Sequence, residues 1–217
     1  MRIADSQRYQ GKPPRPACLC GASYRETLAG FPGNMVARSG LAGVLASAGN
    51  VGNALDLLPM IREPSARGDW IVSHMRAMIL LRTGDRREAL PLLRRGWETC
   101  PLPSQRDYYR SALAFDAIRH GDYAAADDLL REPSPFAKNE RVLDIARLHL
   151  AAARGAESAR PEAVRLLSEP GTTTPMRGVI RLIDIRFGLD SGPAPASEHT
   201  RLDAEIFGAE IELARAA

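Results

Sequence analysis

Cys18-x-Cys20 sets two thiols one residue apart, a spacing that could share a soft metal ion or close a strained disulfide. Structural zinc normally takes four ligands in wider C-x₂₋₄-C pairs, and no second Cys/His pair accompanies this one. Cys100 stands alone, and the PACLC stretch lacks the apolar run that a lipoprotein signal would need. The histidines, His74, His120, His149 and His199, are far apart, and none belongs to an H-E-x-x-H pair. There is no G-x-S-x-G, no phosphate-binding G-x-x-x-x-G-K and no G-x-G-x-x-G. Arg67-Gly68-Asp69 spells an adhesion tripeptide, but here it leads from a loop into a helix. These residue types and spacings point to no catalytic centre, no metal site and no cofactor, so a non-enzymatic role is expected.

Composition narrows the class further. In 217 residues, 45% hydrophobic and 25% charged, there is enough apolar surface for a real core and no run long enough to cross a membrane. Only Lys12 and Lys138 are lysines, leaving 27 of the 29 basic residues as arginine, a bias expected of a GC-rich bacterial coding sequence. The net charge of +3 resides in the first thirty residues, where Arg2, Arg8, Lys12, Arg15 and Arg25 outnumber Asp5 and Glu26. The rest is neutral, which gives no support for a nucleic-acid-binding face. Three cysteines cannot build a disulfide framework, and no signal-peptide pattern is present, so a cytoplasmic location is expected. Met35 is an alternative to Met1 as the physiological start.

What must position any site is a recurring turn. Gly49-Asn50, Gly84-Asp85 and Gly121-Asp122 are each followed, five residues after the glycine, by Ala54, Ala89 and Ala126. Glycine supplies a left-handed helix end, and Asp or Asn then caps the next helix. With Gly155 the glycines stand 35, 37 and 34 residues apart. The segments that follow, NALDLLPMIREPS, EALPLLRRGWETCP, AADDLLREPSP and EAVRLLSEPGTTTP, share an alanine three residues before a leucine pair, on one helical face. A proline stops each. Pro91 is near enough to its helix start to be tolerated, whereas Pro59 kinks its helix or ends it early.

This pattern resembles the tetratricopeptide repeat (TPR) family. Segment 70–103 carries the family's small and large positions as Ala77, Leu80, Ala89 and Pro101, segment 35–68 as Leu41, Ala42, Leu45 and Ala54, and segment 107–140 as Leu113, Ala114 and Ala126. A fourth, near 141–175, needs about three extra residues before Ala163 and ends at Pro175. The repeats are degenerate: Arg38, Ser73, Arg110 and Asp144 stand where the family favours tryptophan. The implied fold is an all-α, TPR-like solenoid of antiparallel helix pairs. Residues 1–34 would be a flexible basic leader with at most a short helix at 23–30, residues 35–190 four to five helix pairs, and residues 191–217 a linker and capping helix. The last carries Leu202, Ile206, Phe207 and Leu213 on one stripe with acids opposite.

In TPR proteins the first helix of each pair lines a concave groove. The resemblance assigns to it Ile71, His74, Met78 and Leu81; Tyr108, Ser111, Phe115 and Ile118; and Val142, Ile145, His149 and Ala152. Arg82 and Arg119 would flank it. Ser39 and Gly43 stand where chaperone-tail-binding members carry carboxylate-clamp residues, so that specialisation is not expected. The groove is largely apolar and suits an apolar or amphipathic segment of another protein. The same residues would equally serve as core if the register shifts. The expected function is a protein-binding adaptor or chaperone-like helper, similar in architecture to secretion-system helpers. The alternative is a self-associating assembly or regulatory component, and a homo-oligomer is compatible with either.

Overall fold

The computed structural model describes residues 17–192, and among them the chain is all-α. Ten helices follow in order: α1 (Ala17–Gly30), α2 (Met35–Ser47), α3 (Val51–Asp56), α4 (Arg67–Arg82), α5 (Arg86–Thr99), α6 (Pro103–Arg119), α7 (Tyr123–Leu130), α8 (Ala137–Ala153), α9 (Ala159–Ser168) and α10 (Thr174–Phe187). None of these is long and apolar enough to cross a membrane. The chain forms two compact units, divided inside α5 between Gly96 and Trp97. The expected capping helix within 191–217 lies outside the described residues.

The glycine turns share one geometry. Gly49, Gly84, Gly121 and Gly155 have φ of 80°, 85°, 76° and 69°, the left-handed conformation that glycine adopts without a Cβ penalty. The next residue's N–H bonds back to the carbonyl five residues earlier: Asn50 to Leu45, Asp85 to Leu80, Asp122 to Ala117 and Ala156 to Ala151, each at 2.9 Å. Such a bond satisfies a carbonyl that the helix end would otherwise orphan. Asp85 and Asp122 then accept from the N–H groups of Glu88 and Ala125 at 3.1 Å, starting the next helix. The alanine five residues after the glycine closes that first turn, Ala54, Ala89 and Ala126 donating to Asn50, Asp85 and Asp122.

Those alanines are fully buried, as are Ala42, Ala77 and Ala114 in the helices before the turns. Ala42 and Ala54 share one core cluster with Leu58, Val72 and Ile79, and Ala114 and Ala126 share another with Leu130, Leu143 and Ala146. Two small residues let paired helices approach closely, while each buried leucine contributes about 2 kcal/mol through removal from water. In the first unit α2 packs on α1, α3 and α4; in the second, α8 packs on α6, α7, α9 and α10.

Arginines close the opposite ends of the hairpins. Arg76 of α4 donates to the Leu58 carbonyl at 2.9 Å and pairs with Glu88 at 2.8 Å, which finishes the short α3 that ends before Pro59. Arg106 of α6 donates to the Cys100 carbonyl at 2.7 Å, beyond α5. Arg147 of α8 donates to the Leu130 carbonyl at 3.1 Å, and Arg177 of α10 donates to that of Leu167. In each case a guanidinium satisfies the orphan carbonyls behind the preceding second helix. The arginine content therefore has a structural use beyond coding bias.

α1 lies where the leader was expected and extends well before residue 23. Tyr24 is buried against α2 with Ala37 and Leu41, and Leu28 packs on the same cluster. Its ring sits over Gly40, where an added Cβ would stand 2.3 Å from the ring. The aromatic ring and the glycine opposite supply the burial that the leader's composition did not suggest.

Candidate functional site

The residues assigned to a groove divide by depth. On α4, Ile71, His74, Met78 and Leu81 are half-buried and Arg82 is exposed. On α6, Tyr108 and Phe115 are half-buried and Arg119 is exposed, but Ser111 and Ile118 are interior. Ser111 turns its hydroxyl onto the Tyr108 carbonyl at 2.9 Å, and Ile118 packs with Ala126, Leu130 and Leu143. On α8, Val142 is half-buried, Ile145 is core with Leu148 and Ala152, and His149 is 8% exposed. Ser111, Ile118 and Ile145 therefore face the packing between helices.

Within the second unit the structure brings Phe115 and His149 together and adds Phe187. The Phe115 and His149 rings have centroids 5.5 Å apart, tilted by 32°, and His149 and Phe187 follow at 5.7 Å and 54°. These distances suit offset or tilted aromatic contacts. Three helices, α6, α8 and α10, thus each contribute one ring to a continuous stripe. Val142 packs beside it against the same core cluster as Phe115 and Phe187.

Charge accompanies the rings. Burial, and then the positive charges of Arg186 and Arg119, push the His149 imidazole down to about 4, so it is neutral at physiological pH. Its Nδ1 has no hydrogen-bond partner among the described residues. Arg186 lies 5.5 Å from the Phe187 ring centroid, within cation–π range. No carboxylate among the described residues pairs with Arg119 or Arg186. The stripe is an apolar, aromatic strip beside two cations without described counterions.

Other polar groups are committed to the fold. Asp107 accepts from Arg110 at 2.9 Å, from Ser134 at 2.5 Å and from Asn139 at 3.2 Å, which anchors the segment after α7. An open cleft of about 630 Å³ beside α7 and α8 is lined by Arg131, Arg147 and Arg154, but these pair with Asp128, Glu140 and Asp127. No group of three or more His, Cys, Asp or Glu residues able to hold a metal occurs among the described residues.

Arg186 and Phe187 were absent from the sequence-derived groove. A signal for the first existed: Arg82, Arg119 and Arg186 each stand two residues before a left-handed glycine, Gly84, Gly121 and Gly188. For the second the register misleads. Phe115 and His149 each stand six residues before their glycine, and the same count from Gly188 selects Leu182 instead of Phe187. No family model, no curated protein and no solved structure matches this chain.

Proposed function

We propose that this chain is a non-catalytic, TPR-like scaffold that binds an apolar or amphipathic segment of another protein along the Phe115–His149–Phe187 stripe. The observation that carries this reading is the stripe itself: three adjacent helices each place one ring in a row, and two cations stand beside it. Half-buried phenylalanines, here Phe115 and Phe187 either side of the buried His149, with guanidiniums at hand are residue types enriched where proteins recognise one another. The role is that of an adaptor or chaperone-like helper, of the kind that serves bacterial secretion machines. A cytoplasmic location is part of this reading, on the ground that three cysteines cannot build a disulfide framework.

A second reading, self-association, draws on Val164 and Ile185, apolar side chains 45% and 41% exposed on α9 and α10. Sedimentation of the purified chain separates the two: a monomer at micromolar concentration supports the adaptor, and a concentration-dependent dimer supports self-association. The adaptor is tested by capture from the native host with tagged full-length chain and tagged Phe115→Asp in parallel. The expected result is a discrete protein retained by the first and lost by the second while circular dichroism shows both folded. Equal capture by both baits would overturn the assignment of the stripe.

A further inference from the structure

The stripe runs across three helices, and its spacing and its charge both constrain what fits it. Within the second unit α8 packs on α6 and on α10, so His149 stands between Phe115 and Phe187. The ring-to-ring steps are 5.5 and 5.7 Å. A helix laid along the row rises about 5.4 Å per turn and would set one side chain of its apolar face beside each ring. Alternate residues of an extended strand step by roughly 6.7 Å and would drift out of register over two steps. The imidazole Nδ1 is buried, so it is not offered to a ligand as a hydrogen-bonding group. Arg119, the last residue of α6, and Arg186, next to last in α10, are exposed, and both act on the charge of His149. No carboxylate among the described residues pairs with either. Each offsets the partial negative charge at its own helix end, about half a unit, and the remainder is positive charge available to a ligand.

We infer that the segment bound along the Phe115–His149–Phe187 stripe is an amphipathic helix of a partner protein with an acidic flank, its apolar face on the rings and its carboxylates on Arg119 and Arg186. The inference rests on the binding role proposed for the stripe and specifies the partner's chemistry. A wholly apolar segment would strip water from two guanidiniums and give them no counterion, and a basic segment would add like-charge repulsion. Acidic residues beside the apolar ones remove both costs and fix the register of the helix on the row.

Fluorescence anisotropy on the full chain tests this with labelled synthetic peptides of about 15 residues, blocked at both ends. One carries leucine once per turn with glutamate beside it, and two others replace every glutamate with glutamine or with lysine. The glutamate peptide should bind roughly tenfold more tightly than the glutamine peptide, and the lysine peptide more weakly than either. Arg119→Gln with Arg186→Gln should remove the difference between glutamate and glutamine, and Arg119→Glu with Arg186→Glu should turn the preference towards lysine. Both arginines are exposed, so these variants should stay folded, which circular dichroism checks. No binding of the glutamate peptide, equal binding of the glutamate and glutamine peptides, or a charge preference that survives the arginine substitutions would each overturn the inference. So would a single-stranded oligonucleotide that binds through the two arginines more tightly than the glutamate peptide, or a dimer of the chain that dissociates when they are replaced, since either gives the cations another occupant. Equal binding of the glutamate and glutamine peptides, lost for both in Phe115→Asp, would remove the acidic flank and leave the adaptor reading standing. Absence of any peptide binding together with equal host capture by the wild-type and Phe115→Asp baits would remove both.

Discussion

The imidazole of His149 and the ring of Phe115 lie 5.5 Å apart, and the imidazole Nδ1 meets no hydrogen-bond partner among the described residues. A polar ring is thus held inside an aromatic row as though it were apolar, and its titration reports on that environment.

Acid should therefore weaken the second unit through His149. The folded imidazole is pushed down to about 4, by burial first and then by Arg186 and Arg119, while the unfolded one titrates near 6.5. Below 6.5 the unfolded chain takes up a proton that the folded chain refuses. Stability is then fully present above 6.5 and falls as pH drops towards 4, by up to about 3 kcal/mol. His149→Phe should remove this component, so urea midpoints of wild type and variant should diverge between pH 7 and pH 4. Parallel curves would contradict the buried, uncharged state.

Gly40 should tolerate no side chain while Tyr24 is present. A Cβ there would stand 2.3 Å from the Tyr24 ring, a clash with the rigid part of the side chain. Gly40→Ala is expected to cost about 1–3 kcal/mol and to release α1 into rapid hydrogen exchange. In Tyr24→Ala the same substitution should cost little, and a double-mutant cycle measures the difference.

How much of this was legible in the sequence depends on the range of the interaction. The turns were legible because a left-handed glycine, a capping Asp and a buried alanine act within five residues, and Gly84, Asp85 and Ala89 show all three. The docking of α1 was not, since it depends on Tyr24 meeting Gly40 on another helix. Nor was the capping by Arg147, which reaches Leu130 across 17 residues. Phe115 and His149 share the glycine spacing that singled them out, whereas Phe187 departs from that spacing, and packing of α10 against α8 brings it beside His149.

Removing the Arg147 cap should loosen α7. Its guanidinium holds the Leu130 carbonyl at 3.1 Å and the Asp144 carboxylate at 2.9 Å. Arg147→Met is expected to cost about 1–2 kcal/mol, discounted for partial exposure, and Arg147→Lys to recover only part of it because an ammonium lacks the planar fork. Thermal unfolding of the two variants checks the order.

Gly121 should resist substitution for a different reason. At φ 76° it has no neighbour that a Cβ would strike, so only backbone strain opposes a side chain. Gly121→Ala is expected to cost about 1 kcal/mol and Gly121→Asn less, since asparagine enters the left-handed region more readily. Equal costs in chemical denaturation would refute that order.

The most direct measurement of the central claim is photo-crosslinking from the stripe in the native host, with benzoylphenylalanine in place of Arg119. A defined adduct to another polypeptide is the result expected of a protein-binding face. No adduct from Arg119, or the same adducts from an exposed control site such as Arg62 on the other unit, would contradict it.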